Sequence, residues 1–187
     1  MKSEFNDMLK AYVELEGEVR EYISGLFSGT CALCTSTCCT PYICEESLAS
    51  AFLKYVHSVY KPEVSFCDRY GWLTERGCAL KCGRPPVCYG FFCDDILDSL
   101  SARERGIIRV LGRIISWVGE KAYAGKHIVE IMDSEDLNRI NLEKMVSRLK
   151  VGKLALDGVK EAFGGDPIGD NQLAAMQQIN PGFITNR

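Results

Sequence analysis

Apolar residues recur along most of this chain in alternating steps of three and four, the spacing that keeps side chains on one face of an α-helix. The first run is Phe5, Met8, Tyr12, Leu15, Val19, Tyr22 and Leu26, and it predicts a helix over 5–26. Glu14, Glu16, Glu18, Arg20 and Glu21 are expected on its solvated face. Ser28-Gly29-Thr30 is expected to end it, because glycine accepts the left-handed cap. A second helix is predicted over 45–60, with Leu48, Phe52, Tyr55 and Val59 as its stripe and Lys61-Pro62 as its stop. His57 on this helix reads as a packed or surface residue rather than a ligand.

Past Cys93, Asp94 and Asp95 suit the first turn of a short helix, and the capping-box pattern Ser101-Ala-Arg-Glu104 predicts that it breaks and restarts at Ser101. The restarted helix carries Ile107, Leu111, Ile114 and Val118 on one seam, widened by Ile108, Val110, Ile115 and Trp117, so it must be largely buried. The last long helix, over 141–163, has Leu142, Met145, Leu149, Gly152, Leu156, Val159 and Phe163 in register. A glycine inside a helix costs about 1 kcal/mol against alanine, so Gly152 predicts close approach of a neighbouring helix.

These elements predict an all-α fold: one domain over 1–163, a bundle of about four main helices, with an irregular segment over 31–93 inserted around the second. Residues 164–187 read as a polar C-terminal tail that is mobile or makes only a brief helix over 172–179. At 187 residues and 47% hydrophobic content the chain can fill one core. A net charge of −3 without a basic stripe argues against nucleic acid as a partner. The most apolar run, 107–118, is short and interrupted by Arg109 and Arg113, which argues against a membrane span. The polar N-terminus lacks the apolar core of a signal peptide, so the expected location is cytoplasmic and the expected kind of partner is another protein.

The inserted segment holds all ten cysteines: Cys31, Cys34, Cys38, Cys39, Cys44, Cys67, Cys78, Cys82, Cys88 and Cys93. In a reducing compartment clustered cysteines ligate metal or do redox chemistry more often than they form structural disulfides. A Cys-x-x-Cys pair places two sulfurs on one turn, ready for two corners of a tetrahedral site, and zinc and iron–sulfur clusters both accept an all-thiolate shell. The glycines and prolines over 62–93 predict turns that would not form a core unaided, and a metal cross-link would offset their chain entropy. Trp72, Phe91 and Phe92 read as ordinary packing residues. Arg84, backbone N–H groups and helix N-termini are candidates to compensate thiolate charge.

The order Cys31-x-x-Cys34-x-x-x-Cys38-Cys39, then Ile43 and Glu46, a spaced Cys67, and Cys78 before Arg84-Pro85-x-x-Cys88 resembles the family of zinc- or iron-chelating cysteine-cluster domains named for its Cys-x-x-Cys-x-x-x-Cys-Cys motif. The resemblance covers residues 31–93 and implies Cys31, Cys34, Cys38, Cys39, Cys67, Cys78, Cys88 and Cys93 as ligands. Cys44 and Cys82 are additional to that pattern, and Tyr89 stands where members often carry Arg.

The leading expectation is a metal-binding protein with an all-cysteine site. The excess of thiolates and the absence of histidine from the cysteine segments favour an iron–sulfur cluster over zinc. Electron transfer, redox sensing and one-carbon chemistry are the uses open to it. The alternatives are a structural zinc module serving protein interaction, and a metalloenzyme in which Glu45, Glu46, Asp68 or Asp94 borders an open metal position. No nucleophile–base pair or nucleotide fingerprint supports the enzyme.

Overall fold

The computed structural model describes residues 2–33, 40–75 and 77–183, and side chains over 3–30, 40–75 and 77–183. In chain order its elements are α1 (Lys2–Leu33), α2 (Pro41–Ala49), α3 (Ala51–Val59), a small antiparallel hairpin of β1 (Leu73–Thr74) and β2 (Gly77–Cys78), α4 (Val87–Gly90), α5 (Asp94–Ser99), α6 (Ala102–Gly119), α7 (Leu142–Gly164) and α8 (Asp170–Ile179). The fold is all-α, as the periodicity predicts.

The core is built where α7 packs against α1, α6 and α8. Met8, Tyr12, Leu15 and Val19 of α1 are buried there, and so are Ile107, Leu111, Ile114 and Val118 of α6. Ser101 and Glu104 form the complete capping box expected between α5 and α6. Helices α1 and α7 run in the same direction: Leu15 meets Gly152, Glu18 meets Lys153 and Lys160, and Tyr22 meets Phe163. A Cβ on Gly152 would lie 2.9 Å from Leu15 Cδ2 and 3.3 Å from Val118 Cγ2, so this glycine does mark the close approach.

Three boundaries differ from expectation. Helix α1 continues through Ser28-Gly29-Thr30 to Leu33, because Phe27 is buried edge-to-face against Phe92, at 5.8 Å between centroids, and this tertiary contact outweighs the weak helix propensity of glycine. The helix predicted over 45–60 starts earlier, with Pro41 in its first turn, and divides at Ser50. There the Ser50 hydroxyl accepts from the Leu53 N–H, while the Ala51 N–H donates to the Ile131 carbonyl. The division turns the buried face, so Leu53 and Val56 join Phe52 in the core while Leu48 and Val59 are exposed. Within the segment expected as a polar tail, α8 falls close to 172–179 and is docked, with Ala175, Met176 and Ile179 buried.

Replacing Gly152 by leucine should destabilise the fold by about 1–3 kcal/mol through overpacking. Gly25→Ala, on a stretch of α1 where an added Cβ meets nothing within 4 Å, should stabilise by about 0.5–1 kcal/mol. Denaturant titration of both variants checks this, and a neutral Gly152→Leu would refute the packing account.

Candidate metal centre

The cysteine-rich segment is fixed to the bundle by one carboxylate. Glu16 is fully buried, not on the solvated face expected for it. It follows Tyr12 by four residues and precedes Val19 by three, so helical geometry places it inside the apolar seam. That spacing is the signal in the sequence, and the charges at positions 14, 18, 20 and 21 mask it. Glu16 Oε2 accepts from the Gly83 N–H at 2.8 Å, and Oε1 accepts from the Arg84 N–H at 2.9 Å and the Tyr89 hydroxyl at 2.6 Å. Burial raises the Glu16 carboxyl above its usual range, and the three donors with the Arg84 charge oppose that shift. One turn earlier the Tyr12 hydroxyl is buried without a hydrogen-bond partner, near Glu16, Cys82 and Glu46.

Neighbouring side chains complete the anchorage. Arg20 donates to the Lys81 carbonyl at 2.6 Å, and His57 Nε2 lies 3.0 Å from the Gly83 carbonyl. His57 is therefore a packed residue, edge-to-face with Trp72, and burial lowers its pKa. Gly83 has φ +71°, and a Cβ there would fall 2.6 Å from His57 Nε2, so both backbone and space require glycine. Arg84 then reaches towards the hairpin, with Nε donating to the Leu80 carbonyl at 2.8 Å and Nη2 to the Cys78 carbonyl at 3.4 Å. Its guanidinium thus compensates carbonyl oxygens on the cysteine-bearing loop.

A second, smaller apolar cluster forms around Trp72, with Cys44 and Leu80 buried and Phe66 and Cys78 packed on it. The Trp72 indole N–H donates to the Ser47 hydroxyl at 2.8 Å, which donates to the Cys44 carbonyl at 2.6 Å. Beside it, Cys67 and Gly71 exchange backbone hydrogen bonds around a tight turn. Gly71 has φ +61°, and a Cβ on it would lie 2.7 Å from Cys44 Sγ. One small region thereby gathers Cys44, Cys67 and Cys78.

The other expected ligands fall elsewhere. Cys82 is buried in the main core, and desolvation followed by the nearby Glu16 charge pushes its thiol up to about 11. Cys88 is exposed on α4, and Cys93 precedes α5, half-buried beside Phe92. Cys31 lies in the last turn of α1, four residues beyond Phe27, but its side chain is outside the described residues, as are Cys34, Cys38 and Cys39 altogether. Cys44, Cys67, Cys78, Cys82 and Cys93 are free thiols. Among the described residues no three Cys, His, Asp or Glu side chains converge as a metal site. Glu45, Asp68 and Asp94 are exposed and Glu46 is half-buried. No helix among the described residues is long and apolar enough to cross a membrane. No protein-family model, curated protein or solved structure matches the chain.

Glu16→Gln should destabilise the fold by about 1–3 kcal/mol, because whichever way the amide is turned its NH2 faces a backbone N–H, of Gly83 or of Arg84. Tyr89→Phe, which removes one donor and leaves the carboxylate two, should cost less. The pH dependence has a definite sign. A carboxyl raised in the folded state contributes stability that is present at low pH and lost as pH climbs through its folded pKa, so the advantage of wild type over Glu16→Gln should narrow above 4.5. His57, lowered by burial, acts oppositely, its contribution being lost as pH falls below 6.5. Urea titrations across that range check both signs.

Proposed function

We infer that the chain is a metal-binding protein whose cysteine segment carries an all-thiolate site, an iron–sulfur cluster in preference to zinc, put to redox or electron-transfer use. The observation that supports the reading is that the Gly71–Trp72 turn has Cys44 Sγ against Gly71, the Cys67 backbone paired with Gly71, and Cys78 packed on the Trp72 cluster. Unlinked thiols, with no histidine in the turn itself, are a donor set suited to iron–sulfur or zinc and poorly suited to hard, oxygen-seeking cations.

The donor set fits unequally. Cys67 is exposed and Cys78 half-buried, where a metal could reach them, whereas burial in the main core raises the Cys82 thiol, which fits packing instead. When bound, a cluster would supply a one-electron couple, and zinc would supply a cross-link. What this chain contributes is position: Glu16 and His57 fix the Gly83 turn, and Arg84 ties that turn to the Cys78 backbone. The second reading, a structural zinc module serving protein interaction, is favoured by the Trp72 cluster, whose few apolar residues make a core of the size that zinc modules reinforce.

Protein purified without oxygen should be brown and contain iron with matching acid-labile sulfide. Zinc without sulfide would select the structural module, and metal-free protein with oxidised thiols would refute metal binding. Cys67→Ser and Cys78→Ser should lower metal content severalfold. Cys82→Ser should leave it unchanged while reducing stability, measured by metal analysis and denaturation on the same samples.

A further inference from the structure

The outer face of the α1–α7 pair is a groove whose two walls carry opposite charge. The charged residues lining it from α1 are all acidic, Glu4, Asp7, Glu14 and Glu18, and those from α7 are both lysines, Lys150 and Lys153. Leu15 and Leu149 lie at its base, while Val146 and Leu154 remain 37% and 38% exposed, so the floor between the walls is apolar and unfinished. Some of the charge is satisfied within the chain, since Lys153 bonds Glu18 at 2.6 Å and Asp157 at 3.2 Å. Glu14 makes only a loose 3.9 Å contact with Lys10, and Lys150 is exposed.

We propose that this groove is a two-fold interface between two copies of the chain. A two-fold axis laid across the groove would bring acid wall onto acid wall. An axis laid along it exchanges the walls, so that each acidic α1 faces the partner's basic α7 and the exposed Val146 and Leu154 close over a shared apolar floor. Such an axis preserves height along the helices. Because α1 and α7 run in the same direction with Leu15 level with Gly152, Glu14 and Lys150 stand at nearly the same height, and the operation sets Glu14 of one copy opposite Lys150 of the other, twice. The self-complementarity therefore follows from helix direction and charge placement together, and it is independent of whether the cysteine segment binds metal.

The test is sedimentation equilibrium of the full chain. Wild type should be a dimer that weakens as salt is raised. Glu14→Lys and Lys150→Glu should each weaken self-association roughly tenfold or more, because each places like charges together at both equivalent contacts. An equimolar mixture of the two variants should recover the wild-type dimer, since the mixed pair alone sets opposite charges together on both walls. A wild-type chain that is monomeric at every concentration overturns the proposal and leaves the groove to an amphipathic segment of another protein. Variants that stay dimeric, or a mixture no tighter than either variant alone, overturn it equally.

Discussion

A carboxylate taken out of water must find donors, and in this protein that requirement fixes the position of the cysteine loop. Glu16 enters the core with α1, because the helix seam that buries Tyr12 and Val19 buries it too. Among the described residues, the groups that satisfy it are contributed by residues 83–89: two successive backbone N–H groups and a tyrosine hydroxyl. An unsatisfied buried carboxylate costs several kcal/mol, more than any single contact along the loop could return. The loop is held by the carboxylate's requirement, and the positive φ of Gly83 is what turns both N–H groups towards it.

The rest of the segment follows outward from that point. Gly83 offers its carbonyl to His57, and Arg84 directs its guanidinium to the Leu80 and Cys78 carbonyls. Each link is a side chain meeting a backbone group, which allows a stretch with almost no regular structure to hold a defined course. The Trp72 cluster adds a small apolar core of its own, separate from the main one. A segment ordered through a few polar anchors and a handful of apolar side chains gains little from burial alone, and a cross-link through its thiols would act where that gain is smallest.

The helical part was legible because its signals are periodic and local. The seams of α6 and α7 and the Ser101 capping box state their own positions, and Gly152 states a close approach that only a neighbouring helix explains. Local signals mislead where a tertiary contact outweighs them. Phe92 holds α1 helical past Gly29, the Ile131 carbonyl helps break the helix at Ser50, and residues 83–89 make a charge buriable in the seam. Glu16 is the instructive case. Its spacing from Tyr12 and Val19 was visible in the sequence, but its partners lie 67 to 73 residues away, and no local pattern names them.

The same distinction separates the cysteines. In the sequence they are ten equivalent thiols, and in the fold their surroundings diverge. Cys82 faces the main core next to a carboxylate, where both desolvation and like charge oppose a thiolate. Cys67 and Cys78 stand on an exposed turn and a two-residue strand, where backbone pairing with Gly71 and Leu73 fixes their places. Cys44 is intermediate: buried, yet with its sulfur against the Cα of Gly71, the one residue type that leaves it room. Burial next to negative charge thus suits one thiol to packing, and the Gly71 turn gives its neighbours surroundings that the bare sequence does not distinguish.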